Sequence, residues 1–484
     1  MVNVGSFLLI IILIWRLRIT KNFKDVFIEI FTVTAFVELT IERGYFIQIG
    51  THQIAYRTIC ETLLFLISIA MITSGQIKVK KNLAKIFLYV LLSISIGILL
   101  LIAFPSKATG GTMNVSWDMI LVAGYERQPI VFNSGMSLEL IQLSMYLVIS
   151  LCAYSLLNVS DWNVILRNVV HASRIIVYIG ILEFLLNLIN GSSLFYNTVD
   201  SILGTSMATM TSITYRGSRF SLCGLTKEAS HYVFILSIIF ILNLSYHKFI
   251  ESIGKKDKKY FFIQTTIIML LILAMSFSAY YFIAWLFLLL AAVRIEKRGQ
   301  SSIKFIIISF ATLLGIVIII NMLPSIANIL GINSFLGRRI YSAIEEITHI
   351  SNGTWLSAST ALEWSNRVRI GSTYETFKLL LYRPIFGLGF ASTSAHSAFA
   401  MLVSGLGIVG TWFYLRFMMF GKQIKLCNYN NTVFNSCVIV YLIMNIFNSL
   451  GLRPFYEIWT ILLFMSFQYM SQIDTNITKK TINA

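Results

Sequence analysis

SNRVRIGSTYETFKLLLYRPIFGLGFASTSAHSAFAMLVSGLGIVG, residues 365–410, passes from a polar segment into an apolar run with no interruption. The polar part carries Arg367, Arg369, Arg383, Gly387, Gly389 and His396, and from 397 onward no charged residue occurs before Arg416. An apolar run of about 20 residues matches the hydrocarbon core of a bilayer. The stretch therefore reads as chemistry-bearing residues set against a membrane helix.

The rest of the chain agrees with that setting. Of its 484 residues 57% are hydrophobic and 12% charged, with a mean hydropathy of +0.77, whereas soluble proteins carry about 25% charged residues. Apolar runs recur at 4–15, 26–41, 54–73, 86–104, 139–157, 175–190, 230–246, 261–277, 279–293, 305–322, 397–420, 432–450 and 455–470. In lipid each must satisfy its own backbone, which a helix does. The fold expected is an all-α polytopic membrane protein with 11–14 transmembrane helices, 13 of them assigned here. Residues 1–484 form one integral membrane domain on this reading, since there are only five prolines and no repeat period. With no basic residue ahead of the first apolar run, no signal peptide is expected.

Orientation follows from the basic residues. The alternate loops 16–25, 74–85, 158–174, 247–260, 294–304, 421–431 and 471–484 carry 23 Lys and Arg; the longer opposite segments 42–53, 105–138, 191–229, 323–396 and 451–454 carry 13. The first set is expected to be cytoplasmic. This makes the net charge of +17 a topology signal, helped by contact with anionic membrane lipid, and no nucleic acid is needed to explain it. The two sets also differ in kind: 17 of the 23 are Lys, but 10 of the 13 are Arg. Retaining charge does not require arginine. A guanidinium fork matches phosphate oxygens, so an arginine-rich outer face points to a phosphate-bearing ligand; pairing with outer acidic residues or snorkelling to lipid is the alternative.

Cys60, Cys152 and Cys437 lie in apolar runs, Cys427 lies on the expected cytoplasmic side, and Cys223 is alone in an outer loop, so no disulfide is expected. The six histidines lack metal-ligand spacing, and neither a metal nor a cofactor is expected. The outer loops 191–229 and 323–396 far exceed the roughly 4–6 residues of an ordinary connection, which marks them as functional. Trp355, Trp364 and Tyr374 in the second could stack on sugars or anchor at the interface. Within the spans Arg57 and Glu61, at i and i+4, are expected to pair.

An outer loop with Arg219, Gly224 and Glu228 in R-x-x-x-x-G-x-x-x-E, followed later by R-P-I-F-G-L-G-F, a histidine and a G-L-G-I-V-G helix, resembles the O-antigen polymerase and O-antigen ligase superfamily. The likeness covers the whole chain in architecture and is sharp over 216–231 and 365–410. It implies metal-independent, inverting glycosyl transfer on the periplasmic face of a bacterial inner membrane, with loops 191–229 and 323–396 forming the active site. The implied partners are undecaprenyl-pyrophosphate-linked oligosaccharides as donor and acceptor, with room for a chain-length regulator protein. Ligase-like members read His-Asn where this chain reads His396-Ser397, which favours a polymerase. A ligase to lipid A core and a lipid-linked oligosaccharide flippase are the competing readings.

Breaking a sugar–pyrophosphate bond needs donors for the leaving group, and Arg216, Arg219, Arg367, Arg369 and Arg383 are the candidates, with Gly387 and Gly389 either baring backbone N–H to phosphate or forming a plain turn after Pro384. The acceptor hydroxyl needs a base. His396 and Glu228 each precede an apolar run, where each either takes that proton or simply caps the helix.

Overall fold

The computed structural model of the protein describes residues 3–274 apart from 19, 21, 41–43, 50–51, 106, 113, 190–191, 205–214, 217–218 and 227. It also describes 335–354, 364–419 and 457–466, with single positions between 276 and 286 and at 469. The chain is mostly helical. In order run α1 (Val4–Leu17), α2 (Phe23–Thr40), α3 (Tyr56–Thr73), α4 (Lys81–Ala103), α5 (Trp117–Ala123), α6 (Ser134–Leu156), α7 (Val159–Leu188), α8 (Ser192–Leu203), α9 (Ala229–Ser252) and α10 (Tyr260–Leu273). After them come α11 (Phe335–Ser351), α12 (Trp364–Leu379) and α13 (Ala398–Met418), and then a helix over 458–466. Small antiparallel hairpins join β1 (Tyr45–Ile49) to β2 (His52–Ala55), β3 (Thr109–Gly110) to β4 (Gln128–Pro129), and β5 (Tyr215–Arg216) to β6 (Arg219–Phe220).

Among the described residues six helices, α3, α4, α6, α7, α9 and α13, are long and apolar enough to cross a membrane, and α1 and α10 are shorter apolar helices. Helices occupy ten of the thirteen expected ranges. Runs 305–322 and 432–450 lie outside the described residues, as does most of 279–293. The largest buried cluster includes much of α9 and α7, with smaller clusters beside it; 83% of the most apolar window of α9 is buried, against 33% for α4, which turns most of its surface outward.

Charges in the bundle are paired. Arg16 bonds Glu29, and Lys24 meets Asp161 at 2.7 Å. Glu38 takes the backbone N–H groups of Ile458 (2.6 Å) and Trp459 (3.2 Å), a carboxylate at the positive end of the helix over 458–466. Arg57 reaches Glu457 at 3.6 Å. The expected Arg57–Glu61 pair is thereby replaced by a contact 400 residues away, which helix spacing alone does not foresee.

The two sets of loops find partners within their own set. Lys24–Asp161, Arg174–Asp257 and the Lys80 Nζ bond to the Tyr154 carbonyl (3.2 Å) tie one end together. At the other, Asn3 bonds the Leu203 carbonyl (3.2 Å), and Ser394 N–H bonds the Gly111 carbonyl (2.9 Å). Several expected loops are helical. Residues 159–174 belong to α7, whose Asn158/Asp161 capping box starts a 30-residue helix about 45 Å long, beyond the roughly 30 Å of hydrocarbon. Within 323–396, α11 and α12 pack on each other, so Arg338, Arg339, Arg367 and Arg369 are carried by helix, and Arg383 lies in the loop after them.

Candidate functional site

The glycine-rich stretches 384–389 and 404–410 meet backbone to backbone. Helix α13 is broken at Gly407, whose φ of 66° and ψ of −177° only glycine adopts without strain. In an unbroken helix Ile408 N–H would bond the Ser404 carbonyl. Instead Ile408 and Val409 donate to Pro384 (2.9 Å) and Ile385 (3.2 Å), and Leu388 N–H takes the Ser404 carbonyl (2.9 Å). The break is thus filled by the preceding loop, which satisfies groups that lipid would leave bare. A Cβ on Gly407 would strike the Ile385 carbonyl, and one on Gly387 (φ +71°) the Gly405 carbonyl.

That packing bears on the first glycine pair. Gly387 N–H is committed to the Arg383 carbonyl (2.9 Å), and both Gly387 and Gly389 are buried. Both lie in a packed turn. Arg383 closes it from below: one Nη donates to the carbonyl of Phe104, the residue that ends α4. Cationic donors are stabilising at a helix C-terminus. Arg383 accordingly fastens the loop to α4.

Around this turn α12 supplies the polar groups. Its Ser372 hydroxyl accepts the His396 N–H at 3.1 Å, and His396 is half-buried. The capping role at α13 belongs to Ser397, whose hydroxyl accepts Ala400 N–H at 3.2 Å. Arg367 and Arg369 are two residues apart on α12, about 200° around the axis, and face different surroundings. Arg367 is buried beside Glu346 of α11, whereas Arg369 is half-buried. Burial pushes the Glu346 carboxyl above its ordinary value, with Arg367 and then His349 opposing the shift. Tyr374 is exposed on the same helix; Trp355 lies outside the described residues.

The second motif is built differently. Glu183 of α7, 1% exposed, accepts Cys223 N–H (3.0 Å), Gly224 N–H (2.7 Å) and the Tyr196 hydroxyl (2.7 Å). One carboxylate therefore moulds the loop between β6 and α9. Arg216 and Arg219 are cross-strand partners in the hairpin ahead of it. Glu228 occupies the N-cap position of α9, yet its side chain makes no cap bond and instead accepts the Ser230 hydroxyl at 3.2 Å.

Loop 105–138, which sequence reasoning left out of the site, also belongs to it. Trp117 packs on Val368 of α12, with Ile120, Leu121 and Ile350 around them, and Arg127 approaches Glu375 at 3.7 Å. An arginine in an outer loop was the available signal; its partner was not. Among the described residues no group of His, Cys, Asp and Glu is placed to hold a metal ion. Neither a scan against protein-family models nor a search of curated proteins finds a match for the chain.

Proposed function

We propose that the protein is a membrane glycosyltransferase of the O-antigen polymerase kind, moving a growing glycan from undecaprenyl pyrophosphate to a new lipid-linked repeat unit. The reading rests on the motif resemblance and on one arrangement: His396 is bonded to the helix that bears Arg367 and Arg369, at the end of a broken apolar helix. A base and guanidinium donors are thus gathered on two packed elements beside the bilayer, where a lipid-borne substrate would present its pyrophosphate.

In this reaction the acceptor hydroxyl oxygen attacks the anomeric carbon of the donor sugar. The bond from that carbon to the pyrophosphate oxygen breaks, its electron pair leaves with the pyrophosphate, and the hydroxyl proton passes to a base, His396 or Glu228. Arg369 is better placed than Arg367 or Arg383 to meet the leaving charge, since Arg367 is buried against Glu346 and Arg383 donates to Phe104. Arg216 and Arg219 are the remaining guanidinium candidates of this reading. Active-site formation at the periplasmic face of an inner membrane belongs to the same reading.

The test is turnover by the purified chain in nanodiscs with a lipid-linked repeat unit. Wild type should lengthen the glycan and release undecaprenyl pyrophosphate, and Arg369→Lys should lower kcat about 10- to 100-fold because an ammonium cannot grip two oxygens in a plane. Absence of carrier release with any lipid-linked repeat unit would end this reading, and transfer only to lipid A core would make the protein a ligase.

A further inference from the structure

Arg127 is held firmly and makes no hydrogen bond among the described residues. Its Cζ lies 5.5 Å from the centroid of the Trp117 ring, which is itself buried against α12. Its Nη1 stands 3.7 Å from Glu375 Oε2, outside the roughly 3.2 Å of an N–H···O bond. Nη2 is buried with no acceptor. Glu375 is shared with Lys378, whose Nζ is 3.7 Å from Oε1, so two cations converge on one carboxylate and a positive charge is left over. An aromatic face and a carboxylate fix the guanidinium in place while its donors stay uncommitted. The side chain is 31% exposed, and an incoming anion would satisfy the donors on that open side.

Position gives the anion a context. Loop 105–138 carries Arg127 and also accepts, through Gly111, the N–H of Ser394, two residues before His396. The same loop therefore borders the base candidate and α12. We propose that Arg127 is a phosphate-binding residue of this site, its guanidinium taking oxygens of a prenyl-linked pyrophosphate, with Trp117 and Glu375 as the positioning residues. The assignment of the phosphate to a lipid-linked substrate rests on the function proposed above. Phospholipid headgroups offer the same phosphate chemistry, and the experiment separates the two sources.

Undecaprenyl pyrophosphate is titrated onto the purified full chain in phosphatidylcholine nanodiscs, and Kd is measured for wild type, Arg127→Gln, Arg127→Lys and Lys378→Gln. Arg127→Gln should weaken binding about 10- to 100-fold, as loss of charge-assisted bonds does, and Arg127→Lys nearly as much. Lys378→Gln should weaken binding about threefold, less than either Arg127 variant, since it takes an exposed, solvent-screened charge from beside Glu375. Should Arg127→Gln fail to fold, Arg127→Lys, which keeps the charge beside Glu375, carries the test. An unchanged Kd in a folded Arg127 variant overturns the proposal. So does equal displacement of the ligand by phosphatidylglycerol discs, which would give the site to headgroups. Arg127-dependent binding without turnover of any lipid-linked sugar would support the site and remove the transferase.

Discussion

Of the two segments singled out by motif, 216–231 and 365–410, the first and the 383–410 part of the second face the same difficulty with different means. Each is irregular backbone next to apolar helices, where an unsatisfied N–H is costly. The first is moulded on a side chain: the Glu183 carboxylate takes two backbone N–H groups and a hydroxyl. The second is held by main chain against main chain, which only glycine allows at the distances found between Gly387, Gly405 and Gly407. A side-chain acceptor fixes few of the loop's own residues, Gly224 (φ +58°, against the Tyr232 ring) being one, whereas glycine packing fixes the residues themselves throughout. The difference teaches which positions in each segment are structural, and hence which remain for chemistry.

The strongest way to break the comparison is Gly407→Ala. A methyl group at a glycine-only conformation, against the Ile385 carbonyl, combines backbone strain with overpacking and should cost about 3–5 kcal/mol, read as loss of folded protein on detergent size exclusion. A normal melting temperature would show that the break in α13 is not glycine-dependent. Next in size is Glu183→Ala, which strands two buried N–H groups and the Tyr196 hydroxyl and should cost about 3 kcal/mol in thermal melts, with Glu183→Gln recovering part. Equal melts for wild type and Glu183→Ala would leave the first loop without its organiser.

Ser397→Ala should cost about 1 kcal/mol, the worth of an N-cap, and should leave His396 at its bond to Ser372. A large loss of activity with that small loss of stability would mean that the serine does more than cap. The smallest effect is electrostatic. Because burial raises the Glu346 carboxyl, the folded protein holds that proton more tightly than the unfolded chain, and the stability this gives is lost as pH rises from 4.5 through the raised folded value. Glu346→Gln should flatten that part of the curve of melting temperature against pH. An unchanged slope would place the titration elsewhere.

Much of this was legible in advance for a plain reason: spans such as 86–104 and 139–157 announce themselves by apolar length. Where charge sits on helix, averaging misleads. Asp161, Arg167 and Arg174 made 158–174 look like a loop, although Asn158 and Asp161 spell a capping box at its start. The glycines of both G-x-G pairs were visible, but not that they pack on each other, because that contact joins two elements and leaves no periodicity. Arg57–Glu457, Arg127–Glu375 and Glu183 with Cys223 are likewise long-range, and each reassigned a charge that local spacing had left open or paired wrongly.

The comparison also divides the proposed chemistry, since each segment offers one candidate base: His396, relieved of capping by Ser397, and Glu228, at the N-cap of α9 without a cap bond. The deciding measurement is kcat of purified His396→Gln and Glu228→Gln with lipid-linked repeat units, alongside melts to show both are folded. Glutamine can hydrogen-bond but cannot take a proton at neutral pH. With His396 as base, His396→Gln should lose about 10²- to 10⁴-fold in kcat while Glu228→Gln stays within tenfold of wild type. Near-normal turnover in His396→Gln together with loss in Glu228→Gln would contradict this and move the reaction to the segment moulded on Glu183.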